Sequence, residues 1–162
     1  MIREFEARDI NHCISLAREQ AIEADVLDAL PIDDVHMTKT IKNILVDPNN
    51  KCFVVEEEGT IVGYALVGLS YKVWNPSLFG EVYFFFVHPS IRNKWIADSL
   101  FDRCVSWSRE QGCRWIEWGV SNFTKDFKGA EKYLDRASNY FEHKGCQPCG
   151  YNFVLDLERN NG

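Results

Sequence analysis

The stretch Val87-His88-Pro89-Ser90-Ile91-Arg92-Asn93-Lys94-Trp95-Ile96-Ala97-Asp98-Ser99-Leu100 decides how this chain is read. An unbroken apolar run, Val82 to Val87, leads into it; a proline turn, a short basic segment and an amphipathic helix follow. That order brings backbone N–H groups, a helix N-terminus and two cations, Arg92 and Lys94, to one point. A pyrophosphate suits such a point, because the first amides of a helix lack internal acceptors and the helix dipole favours negative charge there.

Outward from this stretch, Val82-Tyr83-Phe84-Phe85-Phe86-Val87 shows no alternation, which predicts a central strand over 80–87 covered on both faces. The helix expected over 94–111 carries Ile96, Leu100 and Cys104 on one line, with Ala97, Phe101 and Val105 beside it, and Gly112 ends it. Upstream, Glu58-Gly59 joins strands over 52–57 and 60–70 as a hairpin. Segment 71–79, with Trp74 and Pro76, reads as an aromatic-rich loop. The N-terminal third reads as a strand over 1–7 and a helix capped by Asp9, with Ile10, Cys13, Ile14, Ala17 and Ala21 at helical spacing. After Pro31, a second helix from Asp33 or Asp34 is expected to bury Val35, Ile41, Ile44 and Leu45, and Asp47-Pro48-Asn49-Asn50 turns the chain. Downstream come a strand over 114–120, a polar loop with a helical turn over 124–136, a short helix over 137–144 closed by Gly145, and a strand over 151–157. The order β-α-α-β-β-β-α-β-α-β implies an α/β sandwich: one mixed central sheet flanked by helices, in a single domain over residues 1–162.

Composition narrows the function. With 46% apolar and 14% aromatic residues, 162 residues are enough to fill a core. A net charge of −6 disfavours nucleic acid as a partner, which needs a dense basic face. No apolar run approaches the ~20 residues of a membrane helix, and the N-terminus lacks a signal-peptide core, so a cytoplasmic protein with six reduced cysteines is expected. Cys146-Gln147-Pro148-Cys149 follows a helix where redox pairs start one, and no second such pair supplies four zinc ligands, so no metal is expected. His12, His36 and His88 lack ligand spacing.

Five segments in order resemble the Gcn5-related N-acetyltransferase (GNAT) family. These are Ile2-Arg3 with Asp9-Ile10, the hairpin Phe53-Val54-Val55 with Gly59 to Ala65, and the Val87 to Leu100 stretch. Trp107 to Cys113 and Ala137 to Tyr151 complete the set. The family's phosphate loop, Gln/Arg-x-x-Gly-x-Gly/Ala, corresponds to Arg92-Asn93-Lys94-Trp95-Ile96-Ala97, with Trp95 where the middle glycine belongs. Glycine there lets the backbone approach phosphate without a Cβ in the way.

The resemblance implies a GNAT fold and acetyl transfer from acetyl-CoA to an amine, on a small molecule or a peptide, by direct attack. It implies that Phe85, Phe86 and Val87 meet the pantetheine arm through backbone groups, and that the Val87 N–H polarises the thioester carbonyl. Residues Arg92, Asn93, Lys94, Trp95, Ile96 and Ala97 would hold the pyrophosphate, and Asn122 would lie near the cofactor. The family's acid is a tyrosine four residues before Gly145, where this chain has Phe141; Tyr140 is its neighbour, about 100° away around the helix. For the base, Glu81 stands on a strand face with Tyr83, Glu117 is an alternative on the next strand, and ordered water a third. Trp95 and Phe141 leave open a catalytically inactive GNAT-fold binding or assembly module. Acceptor pockets are expected from loops 26–35, 71–79 and 121–135, and a homodimer fits the family's habit.

Overall fold

The computed structural model describes residues 1–23, 31–91, 94–119 and 127–149. Strands β1 (Ile2–Glu4), β2 (Asn50–Glu57), β3 (Thr60–Lys72), β4 (Asn75–Val87) and β5 (Trp115–Trp118) lie in that order in one sheet. The first four run antiparallel, and β5 lies parallel to β4. A parallel neighbour requires a crossover, which α3 (Lys94–Glu110) supplies. Helices α1 (Ile10–Glu23) and α2 (Asp34–Val46) precede β2, and α4 (Phe127–His143) follows β5. The expected element order therefore holds through α4; the strand expected over 151–157 lies outside the described residues.

The helix after the central strand packs as its spacing requires. Ile96, Leu100 and Cys104 are 0% exposed and meet Phe53, Val55, Val67, Val82 and Val87 on one face of the sheet. Gly80 lets this helix come close: a Cβ there would strike the Ser108 side chain. At the end of α3, Cys113 N–H donates to Ser108 O and Gly112 N–H to Arg109 O, with Gly112 at φ +79°. This is a glycine C-cap that satisfies the last carbonyls.

The opposite face takes a different form. β4 carries a bulge: Leu66 pairs with Phe84 and Val67 with Val82, leaving Tyr83 as an extra residue. Tyr83 and Phe84 thus both point to the α1–α2 face, where strict alternation would have sent Phe84 to the other. Phe84 remains 51% exposed, so the expectation that both faces of 80–87 are covered is corrected. Tyr83 lies across Gly68, and a Cβ at Gly68 would come within 2.6 Å of its ring.

Four further expectations change. Asp9 does not cap α1; it is buried at the end of the 3-10 turn Ala7–Asp9 and accepts from the two terminal guanidinium nitrogens of Arg3, at 2.7 and 2.9 Å, while Arg3 Nε donates to Glu56. The α2 helix is capped by Asp33, whose carboxylate accepts from His36 N–H, but Val35 is 82% exposed. Segment 71–79 is no loop: β3 and β4 run on to a tight hairpin, with Val73 and Trp74 exposed at its tip. Segment 127–143 is one helix. Its polar residues suggested a loop, yet Phe127, Ala130, Leu134, Ala137 and Phe141 recur at helical spacing.

Candidate active site

At the carboxyl end of β4 the sheet opens. β5 accompanies β4 from Phe79↔Trp115 only as far as Val82↔Trp118, whereas β3 continues alongside to Gly63↔Val87. The His88 N–H donates to Val62 O at 2.9 Å, on the β3 side. Successive strand amides alternate in direction, so the Val87 N–H points to the opposite edge, the one on which β5 lies. A 3-10 turn, Pro89–Ile91, then leads to the N-terminus of α3.

An aromatic cluster borders this opening. Trp118 stacks on Phe101 (4.6 Å between centroids) and meets Phe85 edge-on (5.5 Å). From α4, Phe141 packs on Trp118 (5.1 Å) and on Phe85 (6.1 Å), while Tyr140 stacks on Phe85 (6.2 Å). The Phe85 side chain thus serves packing, which leaves its backbone for any ligand contact. Gly145, at φ +84°, closes α4 with the same cap as Gly112, Cys146 N–H donating to Phe141 O.

A sequence model of the Acetyltransferase (GNAT) family matches residues 11–127. The chain belongs to the GNAT acetyltransferase family. No curated protein matches the chain. Among solved structures, a predicted acetyltransferase with acetyl-CoA from Clostridium acetobutylicum is similar, with a TM-score of 0.75 and 19% identity over 100% of this chain and 99% of that one. A transcriptional regulator from Bacillus halodurans gives 0.73 at 18% identity, over 97% and 99% of the two chains. A ribosomal-protein-alanine N-acetyltransferase from Brucella melitensis biovar Abortus 2308 gives 0.67 at 17%, over 97% and 98%. At these identities the likeness is one of fold, and the mixed sheet flanked by helices is the GNAT fold.

In the segment expected to form the phosphate loop, Trp95 is 50% exposed while Ile96 beside it is sealed in the core. The indole therefore lies on the solvent side of the helix start. Ile96 has no side-chain surface for a ligand, so a contact there is a backbone one; Ala97 is half-buried against the same core. Arg92, Asn93 and Asn122 lie outside the described residues, and Lys94 is described as the first residue of α3.

Of the two carboxylates considered as base, Glu117 is already engaged. Lys72 Nζ and Trp115 Nε1 each donate to it at 2.9 Å. Burial works against its ionisation, but the hydrogen bonds from Lys72 and Trp115 outweigh this and hold its pKa below the ordinary value. An anion so stabilised is a weak proton acceptor. Glu81 is half-buried on the α1–α2 face and hydrogen-bonded to Tyr83, whose phenol is pushed up by burial and then by the Glu81 charge.

The Tyr140 hydroxyl donates to Asp98 Oδ1 at 3.2 Å, and Lys144 Nζ reaches the same oxygen at 2.9 Å. Burial, followed by the Asp98 charge, pushes the phenol well above its usual range, so it keeps its proton. The 100° between Tyr140 and Phe141 does not separate them from the opening, since both rings reach Phe85. His88 is fixed elsewhere: its Nδ1 lies 2.6 Å from Ser90 Oγ and its Nε2 2.8 Å from a Glu19 carboxylate oxygen.

Sequence reasoning missed the residues under α2. A cavity of about 270 Å³ lies between α2 and the sheet, walled by Met37, Ile41, Ile44, Tyr64, Leu66 and Phe84. The sequence offered one signal on this face, Gly68, whose missing Cβ leaves room for the Tyr83 ring to lie close to the strand. Among the described residues no group of three metal-ligating side chains occurs and no helix is long and apolar enough to cross a membrane. The six cysteines are free thiols.

Proposed function

We propose that this GNAT protein is an N-acetyltransferase, moving the acetyl group of acetyl-CoA to an amine by direct attack. The observation that carries the reading is the β4 edge beyond Val82, which β5 leaves and which runs through Pro89–Ile91 to the start of α3. Acetyl-CoA supplies an activated thioester carbonyl. The peptide groups of Phe85, Phe86 and Val87 hold its pantetheine arm as an added strand would, and the Val87 N–H polarises the carbonyl. Arg92, Asn93, Lys94, Trp95, Ile96 and Ala97 hold the pyrophosphate, with Asn122 beside the cofactor.

Glu81 takes the proton of the incoming ammonium. The nitrogen lone pair then forms the C–N bond, the C–S bond breaks, and Tyr140 gives its proton to the departing sulfur. Both side chains recover by exchange with water. Tyr140 is chosen for its place, its ring stacked on Phe85 beside the opening; its raised phenol arrives protonated but is a weaker donor than an ordinary tyrosine.

The test is CoA-thiol release over a panel of small-molecule and peptide amines. Glu81→Gln is expected to lower kcat about 10²-fold or more. Titration calorimetry with no heat from acetyl-CoA or CoA at millimolar concentration overturns the reading. A second reading, a GNAT-fold binding module without turnover, is favoured by one observation: Asp98 already accepts the Tyr140 hydroxyl. It requires CoA binding with no thiol release on any amine.

A further inference from the structure

We infer that the cavity beneath α2 is an acceptor subsite for an apolar arm, so that the acceptor is an amine bearing an aliphatic or aromatic group. This rests on the transfer reading above and adds the substrate class. The first ground is the cavity itself. It is a half-open void: Phe84 on its wall is 51% exposed, so apolar side chains there face water that an apolar ligand would displace. Here the void persists because no α2 residue is fully buried, while the β4 bulge turns Phe84 into the space.

The walls specify the occupant. They offer side-chain carbon from Ile41, Ile44, Leu66 and Phe84, while the Tyr64 hydroxyl donates to Gln20. At about 270 Å³ the space falls below the ~300–1,000 Å³ of a whole small-molecule site, so it suits one arm of a ligand and not a complete one.

Charge complementarity gives the other end of that ligand. Glu81 shares the α1–α2 face with Tyr83 and Phe84, and Asp47 is near enough to act on the Tyr83 phenol. An ammonium beside Glu81 with its arm over Phe84 lies along the β4 segment that continues into Phe85 to Val87. A primary amine with an apolar tail satisfies both ends; a peptide N-terminus with a polar first side chain leaves the cavity unfilled.

The experiment uses the full chain with acetyl-CoA and the series ethylamine, butylamine, hexylamine and phenethylamine. Expected is a rise in kcat/KM of about fourfold per added methylene, the value of burying one such group, up to the length that fills the cavity. Ile41→Trp and Thr40→Trp, which fill the space from two neighbouring positions of α2, are expected to abolish the rise while acetyl-CoA affinity stays within about twofold. That retained affinity also reports that each variant is folded. A flat chain-length profile, or a rise that survives both tryptophans, overturns the subsite and leaves acetyl transfer standing. Hexylamine binding seen by saturation-transfer NMR in the wild type and lost in both variants supports the subsite even without thiol release. That last outcome strikes only the transfer reading.

Discussion

The two faces of the sheet are built from equally apolar residues but are filled to different degrees. On the α3 face, Ile96, Leu100 and Cys104 vanish from solvent against Phe53, Val55 and Val67. On the other face, α1 buries Ile10, Cys13, Leu16 and Ala21, whereas α2 stands off and a cavity remains below it. Apolar composition thus says that a surface avoids water, not what it avoids water against. One face acts as scaffold; the other keeps room.

Leu100→Ala should break the scaffold most severely, costing about 2–5 kcal/mol in urea unfolding. Ile41→Ala, on the cavity side, should cost less than half as much, because its neighbours already leave space. Equal losses would erase the distinction between the faces. The α1–α2 face depends instead on the Arg3–Asp9 pair, which ties the entry of α1 to the edge strand. Arg3→Met should cost about 1–3 kcal/mol near neutral pH, leaving a buried carboxylate without its cation.

The pH dependence of that loss has a definite sign. Hydrogen bonds from Arg3, and then from the Glu6 N–H, outweigh burial and hold the folded-state pKa of Asp9 below its unfolded value of 3.8. Stability from this group is therefore complete above the unfolded value and drains as acid carries the carboxylate through its lowered one. The gap between wild type and Arg3→Met should narrow below about pH 4; a gap independent of pH would remove the ion pair from the account. Gly68→Ala, which pushes Tyr83 off its seat, should cost about 1 kcal/mol and weaken amine binding. Trp95→Ala should stay within about 0.5 kcal/mol in stability, as exposed positions do, and leave CoA affinity little changed.

The scaffold face was legible in the sequence because its signals are periodic. Ile96-Leu100-Cys104 at i, i+4 and i+8, with Gly112 after them, defines both the buried line and the end of α3. Val35 misled because the inward line of α2 runs through Met37, Ile41 and Ile44, which is visible only once the helix is placed on the sheet. The bulge was hidden for a related reason. In Tyr83-Phe84-Phe85-Phe86 every residue is aromatic, so a slip of one position changes no letter of the pattern. The hairpin at 73–74 was concealed by Pro76, which an outlying strand end tolerates. Of the candidate site, Phe85 to Val87 was readable as the end of a central strand, but that its edge opens there, and which way the Val87 amide points, needed the registers with β5 and β3. That Tyr140 and Phe141 share one cluster depended on ring size, which helical angles ignore.

The supernumerary residue in β4 makes the gene unusually sensitive to length at one point. Loss of the codon for Tyr83 would restore the plain pleat with the ring now at 84 still on the α1–α2 face, but it would take away the ring that lies over Gly68 and close up the strand by one residue. Substitutions there should be tolerated far more readily than a single in-frame deletion. Libraries that vary identity at 83 while preserving length are consequently the safer route to altered selectivity.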